Sequence, residues 1–149
     1  MIIEGVQQIL TVLYPIYKQE VYRRREQMMK LTAFGAVGLT AMLCGLLLSP
    51  QKHHLTSSET FLLGLASLVW SGLFSILILQ QQERHRLAKQ VLVQLEQALG
   101  FYEEGLYADR QTLYPEGWKT AWLRDRSGTL YLSALCALNF IFLLALLLD

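Results

Sequence analysis

Charge is missing from long parts of this chain. Three stretches, 31–48, 61–79 and 129–148, hold no Asp, Glu, Lys, Arg or His. Proton relays, coupled transporters and voltage sensors place ionisable groups at membrane depth, and tolerate a cost of a few kcal/mol to do so. Their absence argues against proton-coupled transport. Cysteine is scarce as well. Cys44 and Cys136 are the only two, both inside uncharged stretches, and they read as small apolar packing residues rather than a disulfide. The net charge of +1 gives no footing for nucleic acid.

Chemical motifs are missing too. No nucleophile constellation, metal-ligand set or glycine-rich phosphate loop stands in the chain, so no catalytic, cofactor or metal site is expected. Glu103, Glu104 and Asp109 stand among Tyr102, Tyr107 and Tyr114 without such company. They are expected to meet basic side chains or to cap a short helix. His53 and His54, near Glu59, lack the further ligands a metal needs. His85, between Arg84 and Arg86, is expected on a helix surface. Repeats, low-complexity tracts and flexible linkers are absent.

What is present points to a membrane. The uncharged stretches hold 18, 19 and 20 residues. At ~1.5 Å per residue, each can cross roughly 30 Å of hydrocarbon as a helix. No piece between them is large enough for a water-soluble core of its own. The expected fold is all-α, a single membrane domain with three transmembrane helices, an N-terminal amphipathic helix and a cytosolic helical stalk. Its parts are cytosolic or interfacial helices over 1–30, the first span 31–48 and an external loop 49–60. The second span 61–79, a cytosolic helix 80–99, an aromatic interfacial segment 100–128 and the third span 129–148 follow.

The basic residues give the orientation. Lys18, Arg23, Arg24, Arg25 and Lys30 precede the first span, and Arg84, Arg86, Lys89, Arg110, Lys119, Arg124 and Arg126 lie between the second and third. The loop 49–60 has only Lys52. Positive charge stays inside, so the N-terminus and 80–128 are expected in the cytoplasm and Asp149 on the opposite side. A bacterial inner membrane is the default location. Residues 1–17 lack a basic leader and are interrupted by Glu4, Gln7, Gln8 and Thr11, so the first span is expected to be an uncleaved anchor.

Local patterns fill in the helices. Ile2, Val6, Ile9, Leu10, Leu13, Ile16 and Tyr17 recur at helical spacing, which predicts an amphipathic helix in the interface or against a partner. Pro15 predicts a kink or break near Tyr14. Thr56 to Glu59 fits a capping box that opens the second span. Beyond 79, Leu87, Val91, Leu95 and Leu99 continue every four residues up to Gly100, a plausible stop. Span and extension would make one helix of about 39 residues, roughly 58 Å long, packed against 16–30 as an antiparallel stalk. In 101–128, Trp118 and Trp122 stand one turn apart, where aromatics sit at headgroup depth. Arg23, Arg24, Arg25 and Lys30 form a juxtamembrane cluster, worth ~1 kcal/mol per charge beside anionic lipid.

Assembly is the function these features predict. Gly64, Ser67, Ser71 and Ser75 fall on nearly one face of the second span, and Gly64 and Gly72 bracket two turns. Ala33, Ala41 and Gly45, and separately Ala36, Thr40 and Cys44, share faces of the first. Small residues let helix backbones approach closely in lipid, within the hairpin of the first two spans or between subunits. Asn139, midway along the third span, seeks a hydrogen bond worth ~0.6–2 kcal/mol when found. The expected role is a non-catalytic integral membrane protein that assembles with itself or as a small subunit of a larger membrane complex. Its partners are the bilayer and either a second copy or another membrane protein. The alternative is a homo-oligomeric pore or membrane-disrupting effector, with Ser67, Ser71 and Ser75 lining the path. The hairpin with helices extended beyond it, over roughly 16–99, resembles in architecture the small membrane effector domains called SLATT, found in bacterial conflict systems. The third span and the aromatic segment depart from that two-span pattern.

Overall fold

The computed structural model describes the backbone of residues 2–48, 56–107, 109–123 and 126–148, with side chains for all of these except 2–7 and 121–123. Among the described residues four helices follow one another, without a strand: α1 (Ile2–Leu48), α2 (Ser57–Ala98), α3 (Gly117–Leu123) and α4 (Ser127–Leu147). The chain is all-α. Three of its helices, α1, α2 and α4, are long and apolar enough to cross a membrane. The chain divides into two compact units, 1–26 with 82–126 and 27–81 with 127–149. They are called here the aromatic unit and the apolar unit.

Of the kink or break expected at Pro15, the break does not occur, and α1 continues through it. An interior proline removes a backbone hydrogen bond and costs about 3 kcal/mol. Here Tyr14 and Tyr17 pack on the buried cluster of Val21, Ala88 and Leu92, which holds the turns on either side of Pro15 in place.

The ends of α2 are set by local chemistry. The Glu59 amide donates to Thr56 Oγ1 at 3.4 Å, while the Thr56 amide and hydroxyl both donate to Glu59 Oε2 at 2.8 Å. This is the capping box, and the bond from the Thr56 amide holds the Glu59 carboxyl below its usual range. At the far end Gly100 takes a φ of +73°. Its amide donates to the Gln97 carbonyl and the Phe101 amide to the Glu96 carbonyl, both at 3.0 Å. That pair of bonds is a Schellman stop, which needs a left-handed residue after the helix. A Cβ at Gly100 would also stand 2.5 Å from Leu106 Cδ2.

In the apolar unit Leu39, Ile78 and Leu135 join α1, α2 and α4 in one layer, and Leu46, Phe142 and Leu146 join α1 to α4 in another. Phe34, Val37, Phe61, Leu130 and Phe140 point outward and are exposed. Helices apolar on both faces are the pattern of a membrane span rather than of a water-soluble bundle. Side chains of α2 press on α1 at Gly35 and Gly38. Trp70 Nε1 donates to the Gly35 carbonyl at 3.2 Å, and a Cβ at Gly38 would fall 2.5 Å from the Trp70 ring.

Candidate functional site

The aromatic unit buries three ionisable side chains of α2, His85, Lys89 and Glu96. Helical spacing puts His85, Lys89, Leu92, Glu96 and Leu99 on one face of α2, and all five are buried. The expectation of a surface His85 is therefore wrong: only 4% of it is exposed. Its charged neighbours Arg84 and Arg86 point outward, and the period of 3.6 turns His85 to the opposite side. Lys89 and Glu96 were not singled out from the sequence, although the same period could have found them.

Glu96 is the centre of a tyrosine cluster. The Tyr102 hydroxyl donates to Glu96 Oε2 at 2.7 Å and the Tyr14 hydroxyl to Oε1 at 3.5 Å. Tyr14 and Tyr114 share a hydroxyl–hydroxyl bond at 3.0 Å. A buried carboxylate is costly unless it accepts hydrogen bonds, and a charge-assisted bond as short as 2.7 Å is a strong one. Burial, and then the Tyr114 bond, pushes the Tyr14 hydroxyl well above the usual tyrosine range. Burial and the Glu96 bond do the same to Tyr102.

The ring packing is mutual. Phe101 meets Tyr14, Tyr107 and Tyr114 edge-on, with centroids 5.3 to 5.6 Å apart. Trp118 lies on Tyr114 at 5.4 Å. Two lysines cover outer faces, Lys18 over Tyr14 at 5.5 Å and Lys119 over Tyr102 at 4.6 Å. Such contacts are worth ~0.5–1 kcal/mol each when exposed. The segment expected to spread along a membrane surface thus turns Phe101, Tyr102 and Tyr114 into the unit's own core. Trp118 stays 46% exposed, and the side chain of Trp122 lies outside the described residues. Glu103, Glu104 and Asp109 are exposed.

The apolar unit keeps a few small polar groups inside. Ser67 and Ser71 are buried and Ser75 is half-buried. The Ser67 hydroxyl donates to the Gly64 carbonyl of its own helix at 2.9 Å. Gly64 packs towards Leu143 and Leu146, where a Cβ would make ordinary contact, and Gly72 faces open space. Beside Gly64 a groove of about 420 Å³ runs between α2 and α4, lined chiefly by Phe61, Leu65, Leu68 and Leu147. Asn139 is buried, and its Oδ1 has no hydrogen-bond partner among the described residues. Gly64 with Leu146, and Ile78 with Leu135, fix an antiparallel register that sets Ser71 level with Asn139.

Both cysteines are free and exposed, so the packing role expected for them is not the one they have in this chain. Arg23, Arg25 and Lys30 are exposed, and Arg24 pairs with Glu20 one turn before it. His53, His54, Arg124 and Asp149 lie outside the described residues. Among the described residues no group of three His, Cys, Asp or Glu side chains could hold a metal ion. No protein-family model, curated protein or solved structure matches the chain.

Proposed function

We propose that this chain is a non-catalytic integral membrane protein whose work is assembly, with itself or as a small subunit of a larger membrane complex. The apolar unit supplies the anchor, and the aromatic unit supplies the surface that recruits. One observation carries the reading. The aromatic unit leaves two sets of large apolar side chains uncovered: Ile9, Val12 and Ile16 on α1, and Leu106, Tyr107, Leu113 and Trp118 around the loop. Exposed apolar patches on otherwise charged surfaces mark interaction sites. Its buried Glu96 carboxylate is engaged in structure rather than poised for a substrate, since tyrosine hydroxyls occupy it.

The distribution of basic residues supports an orientation with the N-terminus and the aromatic unit in the cytoplasm. The region 49–60 and the C-terminal end then face the other side. The test is the mass of the chain in native-lipid particles extracted without detergent. Several copies, or a stoichiometric larger partner, is the expected result. A single chain alone would refute the reading, and ion flux through liposomes holding only this chain would replace it with a pore.

A further inference from the structure

We propose that a collar of arginines on the aromatic unit binds the phosphates of anionic phospholipid headgroups. Its members are Arg23 and Arg25 of α1, Arg84 and Arg86 of α2, and Arg126 just before α4, all exposed. The inference goes beyond assembly and rests on the membrane anchor in the reading above.

The helix pair brings the arginines to one level. Tyr14 bonds to Glu96, and Val21 packs in one cluster with Ala88. That antiparallel register sets 23–25 beside 84–86. Residues two apart on a helix point about 200° away from each other. Arg23 and Arg25 therefore turn to different sides of α1, and Arg84 and Arg86 to different sides of α2. The four surround the pair rather than line a pocket.

Depth selects lipid as the partner. Arg25 stands six residues before the uncharged stretch 31–48, Arg84 five residues beyond 61–79, and Arg126 three before 129–148. At ~1.5 Å per residue, Arg25 and Arg84 lie about 9 and 8 Å along their helices from those stretches. The headgroup layer is about 5–8 Å deep on each side of the hydrocarbon. A long arginine side chain carries its charged end across the remainder.

Charge selects an anionic headgroup. Within a turn of the collar the acidic residues of the helix pair are Glu20, Glu26 and Glu83. Glu20 is taken by Arg24, which leaves five exposed arginines against two exposed carboxylates, Glu26 and Glu83. Guanidinium groups fork phosphate oxygens with paired hydrogen bonds. The loop has the opposite balance, with Glu103, Glu104, Asp109 and Glu116 against Arg110 and Lys119. It folds around Phe101, where Tyr107 and Tyr114 pack. Gly100, which closes α2, is 21 residues beyond the second uncharged stretch, about 32 Å along the helix. The unit is thus basic at the end that leads into the spans and acidic at the far end.

The test uses the purified full chain in phosphatidylcholine vesicles, with spin-labelled phosphatidylglycerol or spin-labelled phosphatidylcholine as the probe. Lipids that touch the protein are immobilised in the spin-label spectrum, and their fraction gives the relative affinity. A preference of about fivefold, equivalent to ~1 kcal/mol, is expected on the collar side. Averaged with an indifferent opposite leaflet, phosphatidylglycerol should be favoured roughly threefold. Arg23→Gln, Arg25→Gln, Arg84→Gln and Arg86→Gln together should bring the ratio close to one at unchanged helix content. The same four positions changed to Lys should keep most of the preference. Glu26→Gln with Glu83→Gln should raise it, and Glu103→Gln with Glu104→Gln should not move it. A ratio near one in the native chain overturns the collar and leaves the anchor standing. So does a ratio that the four Arg→Gln changes do not lower, or one that follows the loop pair instead. No immobilised component from either probe overturns anchor and collar together.

Discussion

The two units are built on opposite plans. The apolar unit encloses Ser67, Ser71 and Asn139 and turns Phe34, Phe61, Leu130 and Phe140 outward. The aromatic unit turns Arg23, Arg25, Glu103 and Glu104 outward and encloses a carboxylate among tyrosines. A surface of leucine and phenylalanine is stable when the surrounding medium is itself apolar. A surface of arginine and glutamate is stable in water or at a charged interface. The difference teaches that one chain carries two kinds of surface, and that α1 and α2 each contribute to both units. It also predicts that the units will fail for different reasons.

The largest effect should come from Gly38→Leu. A Cβ alone would stand 2.5 Å from the Trp70 ring, so the larger side chain forces α1 and α2 apart. Overpacking of this kind costs about 1–3 kcal/mol or more. A lower thermal-aggregation temperature in detergent and altered Trp70 fluorescence would report it, while proteolysis of the aromatic loop stays slow. Glu96→Leu attacks the other plan. It leaves the Tyr102 hydroxyl without its acceptor and the Tyr14 hydroxyl with Tyr114 alone, at about 1–3 kcal/mol. Its sign is loss of near-UV ellipticity from tyrosine and faster proteolysis near Gly105, with the apolar unit still resistant. Glu96→Gln, which keeps an acceptor, should lose less.

Alkaline pH discriminates between the units as well. The hydroxyls of Tyr14 and Tyr102 are held above the usual tyrosine value of 10.0, burial being the first cause for each. Their contribution to stability is full below pH 10 and is lost as the pH rises past that value. The aromatic unit should therefore loosen above pH 10, read from tyrosinate absorbance and proteolysis. The apolar unit should not follow.

Two substitutions in the apolar unit have small effects of predictable sign. Asn139→Leu removes a buried carbonyl oxygen that has no partner among the described residues. It should raise thermal resistance by about 1 kcal/mol, and a drop instead would mean that Asn139 bonds outside the chain. Gly72→Ala adds a methyl that meets nothing within 4 Å. It should leave stability unchanged or raise it by less than about 1 kcal/mol.

How much of this was legible in the sequence depended on distance along the chain. The capping box at Thr56, the run of α2 beyond residue 79 and its stop at Gly100 are local patterns, and each was read from a few neighbouring residues. The tyrosine cluster is not local. Tyr14 is 82 residues from Glu96 and 100 from Tyr114, and no short pattern links them. The break expected at Pro15 was overridden by packing of Tyr14 and Tyr17 on Ala88 and Leu92. His85 was misread because its neighbours are charged, although the helical period places it with Lys89 and Leu92. Gly35 and Gly38 were passed over because the first span offers small residues on several faces, and only the position of Trp70 shows which face is used.

The native cysteines give the most direct test that hydrocarbon surrounds the apolar unit. Cys44 and Cys136 are exposed on the folded chain, yet both lie within the uncharged stretches. In intact membranes a water-soluble maleimide should leave both unmodified, and in SDS it should label both fully. Rapid labelling of both in intact membranes would mean that water, not lipid, meets those helices, and the account of the apolar unit would be contradicted.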